Sequence, residues 1–426
     1  MKEFRYKHLP MSLRLLVTKS CKLPALLRRT LKQWQERILQ NRLVPPEIRH
    51  ILLLFFVTRL LLTMLGVGAH VSLPLGYGKQ VFWSSHVWLD VWGVWDSAWY
   101  MDIIQNGYSM LPRVAAFPNQ HNFAFFPLYP LLTKMLSVVI GGRDYLAGLL
   151  LSNGCLLASA CLLYRLVALD FSLSIARRAV KYLFLFPVGF MLSGLQTESL
   201  FLCLSLLSFY AARRQKWAIA GCAGMLLSAT RPTGLLIVLP LMVEYWQRPR
   251  PTTETVRLHG QEAASKTIRL DVLWLLLIPV GLLGFCVFNY IETGDFFYFK
   301  SVQSAWNRAF GNPFVVLWEG LKVGVSEPSF KKLLEVSFCG AALAGLTAFY
   351  RRIGLAYWLL GMYSLLVPLS SGIASQPRFT VVVFPLFIVL ALMSQRRWWD
   401  WVLSAFLGLL QGVLMVFWST GHGLVI

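Results

Sequence analysis

Acidic residues are scarce in this 426-residue chain: 19 Asp and Glu stand against 40 Lys and Arg, and charged side chains make up only 14% of it. With 57% hydrophobic residues and a mean hydropathy of +0.59, that scarcity excludes an ordinary soluble globular domain. Cysteine is sparse too. The seven (Cys21, Cys155, Cys161, Cys203, Cys222, Cys286 and Cys339) lie mostly inside apolar runs and form no CxxC or Cys/His cluster, so they read as small buried hydrophobes and not as a disulfide framework or zinc site. No apolar core with a small-residue cleavage site follows the basic start, so the first 50 residues do not read as a cleaved signal peptide. Repeats, low-complexity tracts and a detachable soluble domain are also missing.

What recurs instead is apolar runs near the length that crosses a bilayer, the mark of a multi-pass membrane protein. The net charge of +21 is scattered in short clusters between those runs, a distribution that fits cytoplasmic loops and anionic lipid faces and argues against nucleic acid as a partner. Residues 1–50 carry 12 Lys/Arg against three Glu and read as a basic amphipathic segment on the cytoplasmic surface. Residues 51–426 then form one all-α polytopic domain. Its first span, from Ile51 to about His70 and broken only by Arg59, runs from inside to outside.

Later basic doublets fall at Arg177/Arg178, Arg213/Arg214, Arg248/Arg250 onward to Arg269, Arg351/Arg352 and Arg396/Arg397. If all are cytoplasmic, an even number of crossings separates each from the next. Parity makes residues 125–142 an interfacial helix and not a span, so residues 71–145 become one long external loop ahead of a span over 146–169. The run between Arg178 and Arg213 is interrupted by "SGLQTES", and that between Lys216 and Arg248 by "ATRPTG", which predicts two hairpins with outer tips carrying Glu198 and Arg231. Polar residues and irregular backbone at membrane depth belong where they line a watery cavity. Spans over 271–291, 333–350, 354–370, 379–394 and 399–418 bring the expected total to about eleven.

The external segments hold Asp90, Asp96, Asp102, His121, Asn122, Glu198, Arg231, Asp295, Lys300, Arg308 and Arg378, with carboxylates from the early loop and guanidiniums mostly from later ones. That division suits a reaction in which a carboxylate takes the proton of an attacking hydroxyl while Arg or Lys holds a phosphate leaving group. Asp96, in "VWDSAWYMDIIQNGY", is also placed to cap the helix that follows it. Asp102, turned about 120° away on that helix, reads as a solvated interfacial acid. Glu198 has a capping alternative of its own. Trp83, Trp88, Trp92, Trp95, Trp99, Tyr100 and Tyr108 suit an interfacial belt, some of them able to stack on a sugar. Arg378 in "QPRF" sits on the outer side against the positive-inside tendency, which favours a functional role over snorkelling.

"WDSAWYMDIIQNGY" followed by "HNFAFFPLYPLL" resembles the GPI mannosyltransferase 2 (PIG-V) family, within the GT-C class of polytopic glycosyltransferases. "LQTESLF", "ATRPTGLL", "QSAWNR" and "SQPRFTVVVFPLF" resemble its later motifs in order, so the likeness covers residues 95–387. It implies a GT-C-like bundle and inverting transfer of mannose from a polyprenyl (dolichyl-type) phosphate donor to a glycolipid or envelope-glycan acceptor. The site would lie on the extracytoplasmic or luminal face of a bacterial cell membrane or the endoplasmic reticulum. On the same likeness Asp96 is the catalytic acid, and Trp95, Trp99, Tyr100, Asp102, His121, Asn122, Glu198, Arg231, Trp306, Arg308 and Arg378 fall near the substrates. Many GT-C enzymes carry a second acid beside the first; here Ser97 and Ala98 follow, so no obligatory metal and no other cofactor is expected. A lipid or sugar transporter is the main rival, and predicts symmetry between halves and acids within spans. A scaffold subunit is the third reading, and leaves the external acids and arginines unexplained.

Overall fold

The computed structural model describes residues 45–110, 120–247, 270–306, 308, 310–327 and 329–424. The basic segment expected over residues 1–50 lies outside the described residues up to 44, as do Cys21 and the basic run 248–269. Two units are distinguished, residues 1–52, of which only the start of the first long helix is described, and residues 53–426.

The described elements are helices, with no strand among them. In chain order the principal ones are α1 (Pro46–Ser72), α2 (Ser97–Asn106), α3 (Leu128–Val139), α4 (Asp144–Val167), α5 (Leu173–Leu185), α6 (Glu198–Arg213), α7 (Trp217–Ser228) and α8 (Val238–Gln247). They continue with α9 (Ile278–Thr293), α10 (Pro313–Ser326), α11 (Phe330–Ala348), α12 (Leu355–Leu369), α13 (Gln376–Thr380), α14 (Phe384–Met393) and α15 (Arg397–Ser419). Four stretches are long and apolar enough to cross a membrane: α1, α4, Leu270–Thr293 (α9 with the 3-10 turn before it) and α15. Their outward faces keep large apolar side chains exposed, such as Phe56, Leu150, Leu283 and Leu409, as an integral membrane protein requires. The shorter apolar helices are α3, α7, α12 and α14. α3, at 12 residues, rises about 18 Å, well short of a hydrocarbon core of about 30 Å.

Both interrupted runs are broken where expected. A 3-10 turn over Gly189–Ser193 and irregular backbone to Thr197 separate α5 from α6, and a 3-10 turn over Pro232–Ile237 separates α7 from α8. Unwound backbone must find other partners, and polar side chains from three helices supply them. Arg59 of α1 donates to the Gly189 carbonyl at 3.1 Å and to Ser193 Oγ at 3.0 Å. Gln411 of α15 donates to the carbonyls of Phe184 (3.0 Å) and Phe186 (2.8 Å). Asn153 of α4 reaches the Ser193 carbonyl at 3.4 Å. The interruption of the first span is thus a prop for the break that leads to Glu198. Arg59→Met is expected to cost about 1.5–3 kcal/mol, the worth of hydrogen bonds from a charged donor, read as a lower melting temperature in detergent. An unchanged melting temperature would show that the break is held without it.

α4 packs on α6, α6 on α7, and α7 on both parts of Leu270–Thr293. The last contact depends on glycine: a Cβ at Gly281 would lie 2.0 Å from the Met225 carbonyl oxygen, so the two backbones approach as closely as small residues allow. Cys286 and Cys339 are buried as expected, but Cys222 is exposed on α7, where an apolar helix face needs no burial in protein. The sequence reading did not anticipate α10, because Glu319 and Lys322 interrupt its apolar run.

On the side expected to be cytoplasmic, basic residues far apart in sequence meet shared acids. Lys181 Nζ lies 2.6 Å from Asp400 and Arg178 Nε 3.8 Å from it. Arg213 pairs with Asp170 at 2.6 Å and Glu244 at 2.7 Å, tying the end of α6 to α8 and to the turn after α4.

Candidate active site

Backbone contacts draw the Trp95–Asp96 turn onto the break before α6. Leu195 N–H donates to the Trp92 carbonyl at 3.4 Å, Ser97 Oγ donates to the Leu195 carbonyl at 3.2 Å, and the hydroxyls of Tyr100 and Thr197 lie 3.3 Å apart. Asp96 occupies the N-cap position of α2 but makes no capping hydrogen bond. Its Oδ2 instead accepts from Arg378 Nη1. The capping account of Asp96 therefore fails, because the carboxylate is turned away from its own helix.

Arg378 donates through Nε to Glu198 Oε1 as well, and Arg231 donates through Nη2 to the same oxygen at 2.5 Å and through Nε to Thr197 Oγ1 at 2.9 Å. Glu198 is fully buried, and its carboxylate is engaged by two guanidiniums and not by helix N–H groups. Two carboxylates and two guanidiniums thus form one neutral, mostly buried cluster. Burial alone works against charge on Arg378, but Asp96 and then Glu198 outweigh it and hold the guanidinium above its ordinary value. Burial also pushes the Tyr100 phenol up to about 12, so it stays protonated beside the cluster.

Arg308 faces the same cluster with less compensation. Its guanidinium lies 5.7 Å from the Phe379 ring centroid and donates to Ser371 Oγ at 3.4 Å, and it has no carboxylate in ion-pair range among the described residues. Burial, and then Arg378, lowers its pKa below the ordinary value while Asp96 partly restores it. A guanidinium so placed favours the arrival of an anion.

Two of the three non-glycine residues with left-handed backbone among the described residues stand just before this pair. Trp95 has φ +57° and Ser375 has φ +64°, conformations that cost about 1–3 kcal/mol each unless the surroundings impose them. At Trp95 the N–H donates to the Gly78 carbonyl at 3.1 Å, and the indole lies on Gly78, where a Cβ would come within 2.2 Å of the ring. Beside Gly78, Lys79 is 3% exposed; its ammonium is 2.8 Å from the Asp90 carboxylate and donates to the carbonyls of Asp90 and Gly93. At Ser375 the N–H donates to Glu335 Oε1 at 3.3 Å. The sequence reading passed over Lys79 and Glu335, whose buried charges anchor the two turns.

Asp102 is not the solvated acid expected. It is 9% exposed and accepts from Asn106 Nδ2 (2.9 Å) and Asn122 Nδ2 (2.7 Å), while Asn122 Oδ1 accepts from Ser109 N–H at 3.1 Å. The Asp102–Asn122 bond joins the "WDSAWYMDIIQNGY" and "HNFAFFP" motifs, so this acid fastens the loop and leaves the cluster to Asp96. Asn122→Ala is expected to cost about 1–3 kcal/mol by stranding a buried carboxylate oxygen. Hydrogen exchange over residues 98–110 should rise with it, and wild-type protection there would refute the assignment.

Trp99 (2% exposed) and Trp92 (7%) are packed inside and not in an interfacial belt. Trp99 stacks on Phe125 and meets Trp306 edge-on at 5.9 Å, forming with Tyr100 an aromatic wall in which Trp306 is the half-buried member. His121 is half-buried, and its Nδ1 has no hydrogen-bond partner among the described residues. Thr197, which joins the cluster to the wall through Arg231 and Tyr100, and Phe125, within the wall, were missed although both lie inside the quoted motifs.

Fold and site together define an α-helical integral membrane protein with a buried acid–arginine cluster at its broken helices. No family model matches the chain, and no curated protein does. ArnT from Cupriavidus metallidurans, bound to undecaprenyl phosphate, is similar with a TM-score of 0.49 and 14% identity, over 83% of this chain and 62% of that one. The Archaeoglobus fulgidus oligosaccharyltransferase tethered to an acceptor peptide gives 0.42 and 8%, over 87% and 55%. The same enzyme with zinc and sulfate gives 0.39 and 13%, over 86% and 53%. The chain spans 62% or less of the length of these solved chains.

Proposed function

We propose that this chain is a membrane glycosyltransferase that moves a sugar, mannose on the resemblance of its motifs, from a polyprenyl (dolichyl-type) phosphate to a hydroxyl of a glycolipid or cell-envelope acceptor. The site opens on the non-cytoplasmic face. The observation that carries this reading is that Arg378 bridges Asp96, 282 positions before it, to Glu198 and so to Arg231, while Arg308 stands beside them without a carboxylate in ion-pair range among the described residues.

In this reaction Asp96 takes the proton of the acceptor hydroxyl as its oxygen bonds to the anomeric carbon, and the bond from that carbon to the phosphate oxygen breaks. Attack opposite the leaving group inverts the anomeric centre. Asp96 Oδ2 is engaged by Arg378, and Oδ1 has no partner among the described residues, which leaves one oxygen for the proton. Arg378, fixed by two carboxylates, orients Asp96. Arg308 receives the charge that develops on the departing phosphate. Glu198 and Arg231 hold Arg378 in place and touch no reacting atom.

Purified protein in lipid, given radiolabelled polyprenyl-phosphate mannose and a panel of glycolipid and glycan acceptors, should transfer label to at least one. A folded protein that transfers to none of them, yet moves the lipid or sugar across the bilayer, would replace this reading with the transporter. Arg308→Gln is expected to raise the KM for the donor about 10- to 100-fold, the worth of one charge-assisted contact of about 1.5–3 kcal/mol. An unchanged donor KM would remove Arg308 from the phosphate.

A further inference from the structure

Away from the acid–arginine cluster, the later half of α5 and the first turns of α15 flank a second polar site. The cavity between them, about 410 Å³, is lined by Lys181, Asp400, Trp401, Ser404 and Ala405. Asp400 serves three donors there: Lys181 at 2.6 Å, the Tyr182 hydroxyl at 2.8 Å and, more loosely, Arg178 at 3.8 Å. Arg177, next to Arg178 on α5, and Arg396 and Arg397, at the N-terminus of α15, add three further cations in sequence to the two that pair with Asp400. Those three are exposed and have no carboxylate in ion-pair range among the described residues. Trp398, Trp399 and Trp401 are also exposed, at 55%, 47% and 68%, with Trp398 stacked on Trp399 at 4.2 Å.

Interhelical ion pairs account for Lys181, Arg178 and Asp400. They leave outside them three further arginines and three uncovered tryptophans at the same end of α15 and on α5, Trp401 among the cavity's lining. Tryptophan in that setting sits at the headgroup level of a bilayer, where its ring is apolar and its N–H is wet. Basic residues at the same level attract phosphate, each worth about 1 kcal/mol near an anionic surface. The chemistry that fits both is a lipid and not a soluble anion: a phosphate for the cations, acyl chains for the tryptophans. Asp400 adds a selection, since a carboxylate inside the cavity repels a bare phosphate and accepts from a hydroxyl.

We infer that this cavity, together with the arginines outside it on α5 and α15, is a binding site for an anionic glycerophospholipid with a hydroxylated headgroup, its phosphate held at the mouth by Lys181 with Arg178 and Arg397 and its headgroup hydroxyls by Asp400. The site is independent of the transfer reaction and would persist if that reading failed. The full-length protein in detergent, mixed with equal amounts of phosphatidylglycerol and phosphatidylcholine, tests it by native mass spectrometry. Phosphatidylglycerol should be retained at least fivefold over phosphatidylcholine, and inorganic phosphate in excess should not displace it. Arg178→Gln with Arg397→Gln, which leaves the Lys181–Asp400 pair intact, should abolish that preference at an unchanged melting temperature. Equal retention of the two lipids, displacement by inorganic phosphate, or full preference in the double variant would each overturn the assignment.

Discussion

Asp96→Asn is expected to slow sugar transfer by about 10²- to 10⁴-fold, the range for loss of a positioned general base. The amide has nearly the shape of the carboxylate and still offers an oxygen to Arg378, so the turn at Trp95 and the start of α2 should persist. What it lacks is the ability to take a proton. The loss should therefore fall on kcat, with the donor KM close to that of the wild type, because the proposed phosphate contact belongs to Arg308. Asp96→Glu retains the acid but pushes it one methylene further into a space already set by Arg378, and should recover only part of the rate. Turnover of Asp96→Asn at the wild-type rate, in folded protein, would reduce Asp96 to a tether for Arg378.

Replacing Arg378 with Met should destabilise the protein by about 3–5 kcal/mol, the cost of removing one partner from a buried ion pair. Arg378 is the element common to both acids, donating to Asp96 and Glu198 at once. Without it Glu198, fully buried, keeps only Arg231, and Asp96 keeps no cation in ion-pair range among the described residues. Lysine is a poor substitute, since a point charge cannot reproduce a planar fork that addresses two carboxylates in different directions. Arg378→Lys should accordingly melt well below the wild type, while Arg378→Met combined with Asp96→Asn should regain stability by discharging the orphaned acid. Thermal unfolding in detergent measures all three. A single Met variant that melts with the wild type would mean that the cluster is solvated and its ion pairs weak.

Much of this arrangement was legible in the chain. Gly, Pro and polar residues inside apolar runs marked the breaks at "SGLQTES" and "ATRPTG", because such residues interrupt a helix whatever surrounds them. The four members of the cluster were each singled out as charges where greasy neighbours made a charge costly. Their pairing was not legible, since it depends on contacts between residues up to 282 positions apart. The same limit misread Asp102: its partner Asn122 lies 20 positions on, and nothing local to "YMDII" shows that the acid is covered. Trp92 and Trp99 were assigned to a belt because composition does not distinguish an indole facing lipid from one facing another ring. The left-handed turns at Trp95 and Ser375 were out of reach for a related reason, as neither is a residue whose chemistry favours that backbone.

The distance along the chain between Asp96 and Arg378 also fixes when the cluster can exist. At about 5–20 residues per second, the 282 positions between them take roughly 15–60 s to synthesise. Glu198 emerges in that interval and gains Arg231, 33 positions on, within seconds, so the most deeply buried acid is neutralised early by its local partner. Asp96 has no such local partner among the described residues, and its cation comes from the far end of the chain. Until α13 is made, the break before α6 has Arg59 and Asn153 to hold it but not Gln411, which follows Arg378, and the closing of Asp96 on Arg378 has to await that late segment.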